Sequence, residues 1–422
     1  MPPSFGGMLC MENSMNTIVI LGGGASGMAA ALAARENLDT HVLLLERQSR
    51  VGRKLLATGN GRCNLSNTHV APARYHGENA AFAVPALERF GTGDTLAWFS
   101  SLGLVTRTED TGRIYPLSDA AGSVVDTLRL AMDARGVETV CGFTAQRAAK
   151  RGDRFVVTSD GGDTVEGDRL IVACGGMAGA KLGGVRDGYD LLASFGHRRT
   201  ALHPSLVQLK TDSTWTKAMK GIRAQAVVTL EHDGAVLASA TGEVQFAEYG
   251  VTGPAIFDLS RAAASAGKNC TVVLRLLPEL DDVYITYYLR NKQNDFPSYK
   301  AENILTGCLH NAISRTILRR AGIAFDAFLW SLTDKDLARI AGLIARFDLP
   351  LQGPMGFAAA QVTAGGMVTD DFDPHSMASR LVPGLYACGE VLDIDGDCGG
   401  FNLQWAWSSG RLAGLSAAGD AL

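Results

Sequence analysis

The stretch from Thr17 to Arg47, TIVILGGGASGMAAALAARENLDTHVLLLER, constrains this chain more than any other. It opens on a short apolar run, Thr17 to Leu21, with the β-branched content of a buried strand. Gly22, Gly24 and Gly27 then supply G-x-G-x-x-G, and the Ala-rich segment Ala25 to Arg35 reads as a helix. A second apolar run, His41 to Leu45, ends on Glu46 and Arg47, the acid standing nineteen positions after Gly27 (46 − 27). Each part has a mechanical reason. Gly22 allows a tight turn, Gly24 lets backbone approach a pyrophosphate, and Gly27 lets the helix pack closely on the strand. The free N–H groups at the helix start, around Ala25 and Ser26, face phosphate oxygens. The carboxylate of Glu46 is placed to accept hydrogen bonds from a ribose hydroxyl. The glycines alone are a weak signal; strand, turn, helix, strand and acid together imply an adenine dinucleotide.

The chain keeps this style at its two ends and loses it in the middle. Arg50 to Asn67 carries Gly52, Gly59 and Gly61 among polar residues and reads as an ordered loop, with Arg53, Lys54 and Arg62 placed to meet a pyrophosphate. A helix is expected over 80–104, broken near Gly91 and Gly93, then a turn and strand over 112–116 and a helix over 123–135. Strands follow at 139–148, 154–159 and 168–173. The last ends on Ala173, Cys174 and Gly175, where backbone can approach a nucleotide. Between about 188 and 351 the pattern changes. Strands are expected at 206–209, 226–231, 235–238 and 272–276, and helices at 284–291, 304–320 and 334–346; Tyr284 to Tyr288 also reads as a strand. The opening style returns at Gly384 to Glu390, followed by GDCGGFNLQ (Gly396 to Gln404) and a helix over 405–414.

This pattern implies an α/β fold, a Rossmann-like nucleotide domain (15–188 and 352–422) interrupted by a β-rich unit (189–278, with a further strand near 347–351) and a helical unit (279–346). Residues 1–14 read as a flexible extension whose deletion leaves cofactor content and stability unchanged. A chain of 422 residues suggests two or three domains, and 46% hydrophobic with 19% charged content is ordinary for a globular enzyme. A net charge of −4 without a Lys/Arg run makes no electrostatic case for nucleic acid, and no apolar stretch is long enough to span a membrane. Eight scattered cysteines without a C-x-x-C pair read as reduced thiols of a cytoplasmic protein. The oligomeric state has no signature in the sequence.

The motifs taken together resemble the two-dinucleotide-fold flavoproteins, and most closely the BaiN/RdsA-like NAD(P)/FAD-dependent oxidoreductases, also described as aminoacetone-oxidase-like. The resemblance runs from about Asn16 to Gly414. It rests on the glycine fingerprint, on Gly59-Asn60-Gly61-Arg62-Cys63-Asn64, on Gly112-Arg113-Ile114-Tyr115-Pro116 and on Gly250-Val251-Thr252-Gly253-Pro254-Ala255. It rests further on Thr363-Ala364-Gly365-Gly366-Met367, and on Gly389-Glu390 followed by Gly399-Gly400-Phe401-Asn402-Leu403-Gln404. The resemblance implies an extended FAD. Glu46 then holds the adenosine ribose and Ala25-Ser26 the pyrophosphate, with Thr144-Ala145 near adenine. Arg62-Cys63-Asn64 lies near the isoalloxazine and Asn402-Leu403-Gln404 at its pyrimidine edge. Tyr115 stands where the family often has Phe. Members include reductases of enone double bonds in bile-acid-like steroids.

No second fingerprint follows a strand, so NADH or NADPH is expected as a transient electron donor rather than a resident of its own domain. Cys63 reads either as a redox thiol beside the flavin or as a small buried packing residue, the second favoured for want of a partner cysteine at motif spacing. Tyr115 reads either as a proton donor or as a packed ring with its hydroxyl on backbone. His203, before Pro204, reads as a turn residue. Asp393, Asp395 and Asp397 mimic half a calcium loop but lack the following glutamate, so they read as a solvated acidic turn, and no metal is expected. The favoured activity is reduction of an activated C=C bond in a small hydrophobic substrate by NAD(P)H. An FAD-dependent oxidase of an amine or hydroxy compound, and a flavin-binding scaffold, are the alternatives.

Overall fold

A computed structural model describes residues 15–267 and 269–419. The expected extension over residues 1–14 lies outside the described residues. The chain divides into two compact units. One is built from the segments up to Ala201 and from Gly365 onward, the other from Leu202–Ala364.

The first unit is organised on a five-stranded parallel sheet. Its strands, in spatial order, are Leu385–Ala387, Arg169–Val172, Asn16–Leu21, Thr40–Glu46 and Glu138–Cys141. The apolar runs form these strands because both sheet faces are covered, so no polar alternation is needed. The helix Ala25–Ala34 shows why its composition is so uniform. Residues Ser26 to Ala34 are all buried, since the helix packs on the sheet and against the long helix Phe401–Ala418. Alanines keep the packing distance short, and on the facing helix Gly410 and Gly414 lie so close that a Cβ would stand 2.3 Å from the Ser26 carbonyl oxygen and 2.2 Å from that of Ala30. Around this core lie the helix Ala121–Ala134, a three-stranded antiparallel sheet over Ala145–Arg151, Arg154–Ser159 and Thr164–Gly167, and a small sheet of Ser66–Asn67, Arg113–Pro116 and Thr106–Thr108.

The second unit is a closed six-stranded barrel of Leu209–Thr211, Gly250–Thr252, Ala235–Ala247, Arg223–His232, Cys270–Leu276 and Phe347–Pro354. It also contains the helices Pro254–Ala266, Asp282–Asp295, Asn311–Ala321 and Asp334–Ala345. Barrel residues such as Val228, Leu230 and Val272 share one apolar core with helical residues such as Ile285, Ile317 and Ile340. The β-rich and helical stretches are therefore one unit with one core.

The boundaries fall at 201/202 and 364/365 rather than at 188 and 352. The helix Asp187–Ser194 stays with the first unit because Leu191 and Leu192 are buried there. Phe195 packs edge-on against Phe155 (6.0 Å), and His197 is hydrogen-bonded to Ser379 (3.0 Å). Local expectations also needed correcting. Leu206 takes a left-handed φ of 48° and splits the strand expected at 206–209 into His203–Ser205 and Leu209–Thr211, which puts His203 on a strand rather than in a turn. The helix expected over 304–320 begins only at Asn311, capped by the His310 side chain, after Gly307 turns the chain at φ 103°. Tyr284 to Tyr288 is helical.

Candidate cofactor and active site

The helix Ala25–Ala34 starts at Gly24 with no side-chain cap and no acidic residue in its first turn. Its first N–H groups are thus left without a side-chain cap. A Cβ at Gly24 meets nothing within 4 Å, whereas one at Gly27 would stand 1.9 Å from the Gly22 carbonyl oxygen and one at Gly22, at φ 107°, 2.5 Å from that of Ala173. Gly22 and Gly27 are required by the protein's own backbone; Gly24 leaves open space in front of the helix. Glu46 stands beside this turn. Its two carboxylate oxygens accept hydrogen bonds from the N–H groups of Gly23 and Gln48, both at 2.7 Å, which fixes the carboxylate and leaves lone pairs for sugar hydroxyls. Gly175 likewise opens on space at the end of the neighbouring strand, and Arg47 makes no ion pair among the described residues. An uncapped helix start, an open cradle and a fixed carboxylate fit the dinucleotide half of FAD.

Cys174 is half-buried and its thiol is pushed up to about 12 by burial, so it is a neutral packing residue here. Thr144 and Ala145 lie just past the edge strand Glu138–Cys141, next to Phe143, whose N–H donates to the Glu46 carbonyl. Gly389 follows the strand Leu385–Ala387 and comes against the Ser26 side chain. Lys54 and Glu390, both assigned to the cofactor from sequence, pair with each other at 2.7 Å.

The second half of the site is built from two loops that converge on the strand Arg113–Pro116. Its alternation sends Ile114 into the core, fully buried, and leaves Arg113 and Tyr115 on one face. Arg62 lies over the Tyr115 ring, 3.8 Å from its centre, while its charge is paired with Glu109 (2.6 Å) and Asp119 (3.4 Å). A Cβ at Gly59 would come within 3.2 Å of the Tyr115 ring, and one at Gly399 within 3.4 Å of Arg113 Nε. The Arg62-bearing loop therefore reaches Tyr115, and the Gly399 loop reaches its strand neighbour Arg113. A Cβ at Gly61 meets nothing within 4 Å. Burial raises the Tyr115 phenol above its ordinary range, with Arg113 and Arg62 pulling it partly back. Its hydroxyl makes no hydrogen bond among the described residues.

Cys63 is fully buried in a left-handed conformation (φ 61°), and its thiol is pushed up to about 12 by burial, against a smaller opposing effect of a hydrogen bond with Thr58. Such a thiol stays protonated and unreactive, in keeping with a packing role. Asn64 beside it keeps a buried Oδ1 without a hydrogen-bond partner, within 2.9 Å of where a Cβ at Gly400 would sit.

Two assignments change once the side chains are seen. Gln404 is fully buried and its side chain is engaged by the protein. Its Oε1 accepts from Ser66 Oγ (2.6 Å), and its Nε2 lies within reach of the Phe90 carbonyl (3.0 Å), Thr95 Oγ1 (2.8 Å) and Ser408 Oγ (3.0 Å). Asn402 folds back on its own loop, accepting from the Gly396 N–H (2.8 Å) and donating to the Gly396 carbonyl (2.7 Å). Both side chains shape the loop, and only backbone and the half-buried Leu403 are left to face a cofactor edge. The acidic run is not a solvated turn either. Asp393 and Asp395 are buried, the former accepting the Glu78 N–H at 3.0 Å, and Asp397 pairs with His76 (2.7 Å) and Arg74 (3.1 Å). Sequence reasoning missed Arg113, although the period of two along its own strand sets it beside Tyr115.

Residues 16–416 match the model described as "HI0933-like protein Rossmann domain". The chain belongs to the HI0933-like family. It is 38% identical over 408 residues to the 3-dehydro-bile acid delta(4,6)-reductase of Clostridium scindens, an alignment covering 96% of this chain and 99% of that protein. It is 30% identical over 395 residues to the ribosomal RNA dihydrouridine synthase of Escherichia coli, covering 93% and 95%. Among solved structures, 3-ketosteroid delta1-dehydrogenase from Sterolibacterium denitrificans, in complex with 1,4-androstadiene-3,17-dione, superposes with a TM-score of 0.51 at 12% identity. That match covers 96% of this chain and 100% of that one, and it speaks to the fold alone. This HI0933-like chain is an FAD-dependent oxidoreductase. No helix among its described residues is long and apolar enough to cross a membrane.

Proposed function

We propose that this enzyme uses a reduced nicotinamide to saturate a C=C bond conjugated to a carbonyl in a small hydrophobic substrate. The observation that carries the reading is Tyr115, a buried phenol beneath Arg62 and beside the Gly59 turn, whose hydroxyl makes no hydrogen bond among the described residues. When bound, the flavin supplies the hydride to the β-carbon of such a bond. What the chain must add is a proton at the α-carbon, and a buried phenol that stays protonated is suited to deliver it. Gly24, Glu46 and the helix start at Ala25 hold the dinucleotide half, and Gly61, Gly400 and Leu403 offer backbone and apolar surface to the ring, with Cys63 packed behind them. The names of the two relatives support the same bond change. A 3-keto steroid conjugated at C4 and a uracil ring both present C=C next to C=O.

A second reading, a uridine in RNA, draws on a surface of the inserted unit. There Phe328 and Trp330 stack at 6.1 Å, both are exposed, and Lys300 lies 3.4 Å from the centre of the Phe328 ring. Exposed rings with a cation beside them are what a stacked base uses. Anaerobic stopped-flow decides. Flavin bleaching by NADH or NADPH, followed by reoxidation with a Δ4-3-keto steroid, supports the first reading. Reoxidation by a uridine-containing RNA alone supports the second. Bleaching by an amine or hydroxy compound, with oxygen as the oxidant, overturns both in favour of an oxidase.

A further inference from the structure

We propose that Arg113 is the cation that receives the substrate's carbonyl oxygen, so that Arg113 and Tyr115 act as a pair from one strand face. This rests on the double-bond reading above and adds a second residue to it.

Three arginines surround the phenol, and two are already engaged. Arg62 pairs with Glu109 and Asp119, and Arg107 pairs with Asp119 (2.7 Å) and Glu109 (3.5 Å). Arg113 makes no ion pair and no side-chain hydrogen bond among the described residues, although it is half-buried. A partly desolvated guanidinium without a partner is costly unless something else supplies the oxygen it lacks. Its surroundings are shaped for that. Asn67 Nδ2 donates to the Gly399 carbonyl at 2.8 Å, and Gly399, at φ 136°, presents no side chain to Arg113 Nε or Asn67 Nδ2, which would lie 3.4 and 3.5 Å from a Cβ there. A glycine at this place leaves the fork of Arg113 open beside Tyr115.

The chemistry asks for such a group. When two electrons and a proton arrive as hydride at the β-carbon, the C=C π pair becomes the bond between the α-carbon and the carbonyl carbon, the C=O π pair moves onto oxygen, and an enolate forms. Tyr115 then gives its proton to the α-carbon, the enolate collapses to the ketone, and the phenolate regains a proton from water. The reducing equivalents come from a donor of the reduced-nicotinamide class. Negative charge peaks on the carbonyl oxygen between these events, and a preorganised donor there lowers the barrier where charge develops. Arginine presents two N–H groups in a plane, matching two lone pairs, where lysine offers a point charge.

An anionic oxygen near Arg113 has two sources, the substrate or the reduced flavin itself, and the test separates them. Flavin-loaded wild type, Arg113→Lys and Arg113→Met are compared by calorimetric titration with 4-hydroxybenzaldehyde, whose phenolate mimics an enolate, by the flavin midpoint potential, and by both half-reactions. The expected result is that Arg113→Met binds the phenolate about 30-fold more weakly or worse, keeps the wild-type potential and its reduction by NAD(P)H, and is reoxidised by an enone about 100-fold more slowly. Arg113→Lys should recover part of the phenolate affinity. It also serves if the Met variant fails to retain flavin. Unchanged phenolate binding in both variants overturns the proposal, as does a shifted potential with phenolate binding intact, which assigns Arg113 to the flavin. If wild type binds phenolate through Arg113 yet no conjugated enone reoxidises it, the oxyanion site stands and the double-bond reading fails.

Discussion

The two glycine-rich turns expected to meet the cofactor look alike in sequence and differ in how their polar groups are used. Each places glycines at the start of a helix, one before Ala25–Ala34 and the other before Phe401–Ala418. At the first turn the recognition groups are left over. The helix start is uncapped, Gly24 opens on empty space, and Glu46 is anchored by two N–H groups with capacity to spare. At the second turn the polar side chains are consumed by the protein. Asn402 closes its own loop, and Gln404 ties together four groups of the core. A polar group beside a glycine turn can thus serve a ligand only with the hydrogen-bonding capacity the protein leaves unused.

The contrast can be broken at Gly24. Because a Cβ there meets nothing within 4 Å, Gly24→Val is expected to fold normally as apoprotein and to lose flavin affinity by about a thousandfold or more, roughly 4 kcal/mol. Flavin absorbance after desalting and the apoprotein melting curve check both halves. Full occupancy removes the first turn from the phosphate site.

Gln404→Leu tests the other turn, with the opposite signature. It takes away the partner of the buried Ser66 and Thr95 hydroxyls, while the Phe90 carbonyl keeps the Ser408 hydroxyl at 2.6 Å, and the expected loss is about 2–3 kcal/mol of unfolding free energy in urea. Flavin affinity per folded molecule should stay within about threefold of wild type; a selective loss of flavin without destabilisation returns Gln404 to the cofactor edge.

Tyr115→Phe carries the comparison to the chemistry. Flavin reduction by NAD(P)H should keep its rate, while reoxidation by an enone slows about 100-fold, roughly 2.7 kcal/mol of barrier. The acid works while protonated, and burial raises its pKa. In wild type the reoxidation rate should thus be flat through neutral pH and fall only as pH rises above the ordinary tyrosine range near ~10. Equal rates in both half-reactions leave Tyr115 as a packing residue.

Cys63→Ala is expected to matter least. Its buried, protonated thiol makes a stability loss of about 1 kcal/mol the main effect, with flavin content and turnover within about twofold. In wild type the thiol should resist iodoacetamide at pH 8; rapid labelling contradicts the neutral, buried state.

What was legible in the sequence divides along the same line. The first strand, turn, helix and Glu46 are set by neighbours within thirty residues, so spacing alone finds them. Gln404 takes its orientation from Ser66 and Phe90, more than three hundred positions away, and no local pattern reports that. Asp393 and Asp395 read as solvated because acids usually are, yet the fold buries both. Gly253 followed by Pro254 is a local start signal for the helix Pro254–Ala266, and the period of two along a strand is the local signal that sets Arg113 beside Tyr115. Boundaries failed where the core decided, as with Leu191 and Leu192, which hold their helix to the first unit.

The parallel sheet has a consequence for how the chain is made. Its edge strand Leu385–Ala387 pairs with Arg169–Val172, and Phe401–Ala418 covers the helix that begins at Ala25. A ribosome adding about 5–20 residues per second must synthesise some two hundred residues between those strands, on the order of ten to forty seconds. The barrel unit, contiguous from Leu202 to Ala364, is synthesised within that interval, its strand Phe347–Pro354 last. The helix that opens the dinucleotide site meanwhile stands with one apolar flank uncovered, its alanines and Met28 open to chaperones. Loading of FAD is thereby set as a late event, after the last turn of Phe401–Ala418 has closed over a helix translated near the start.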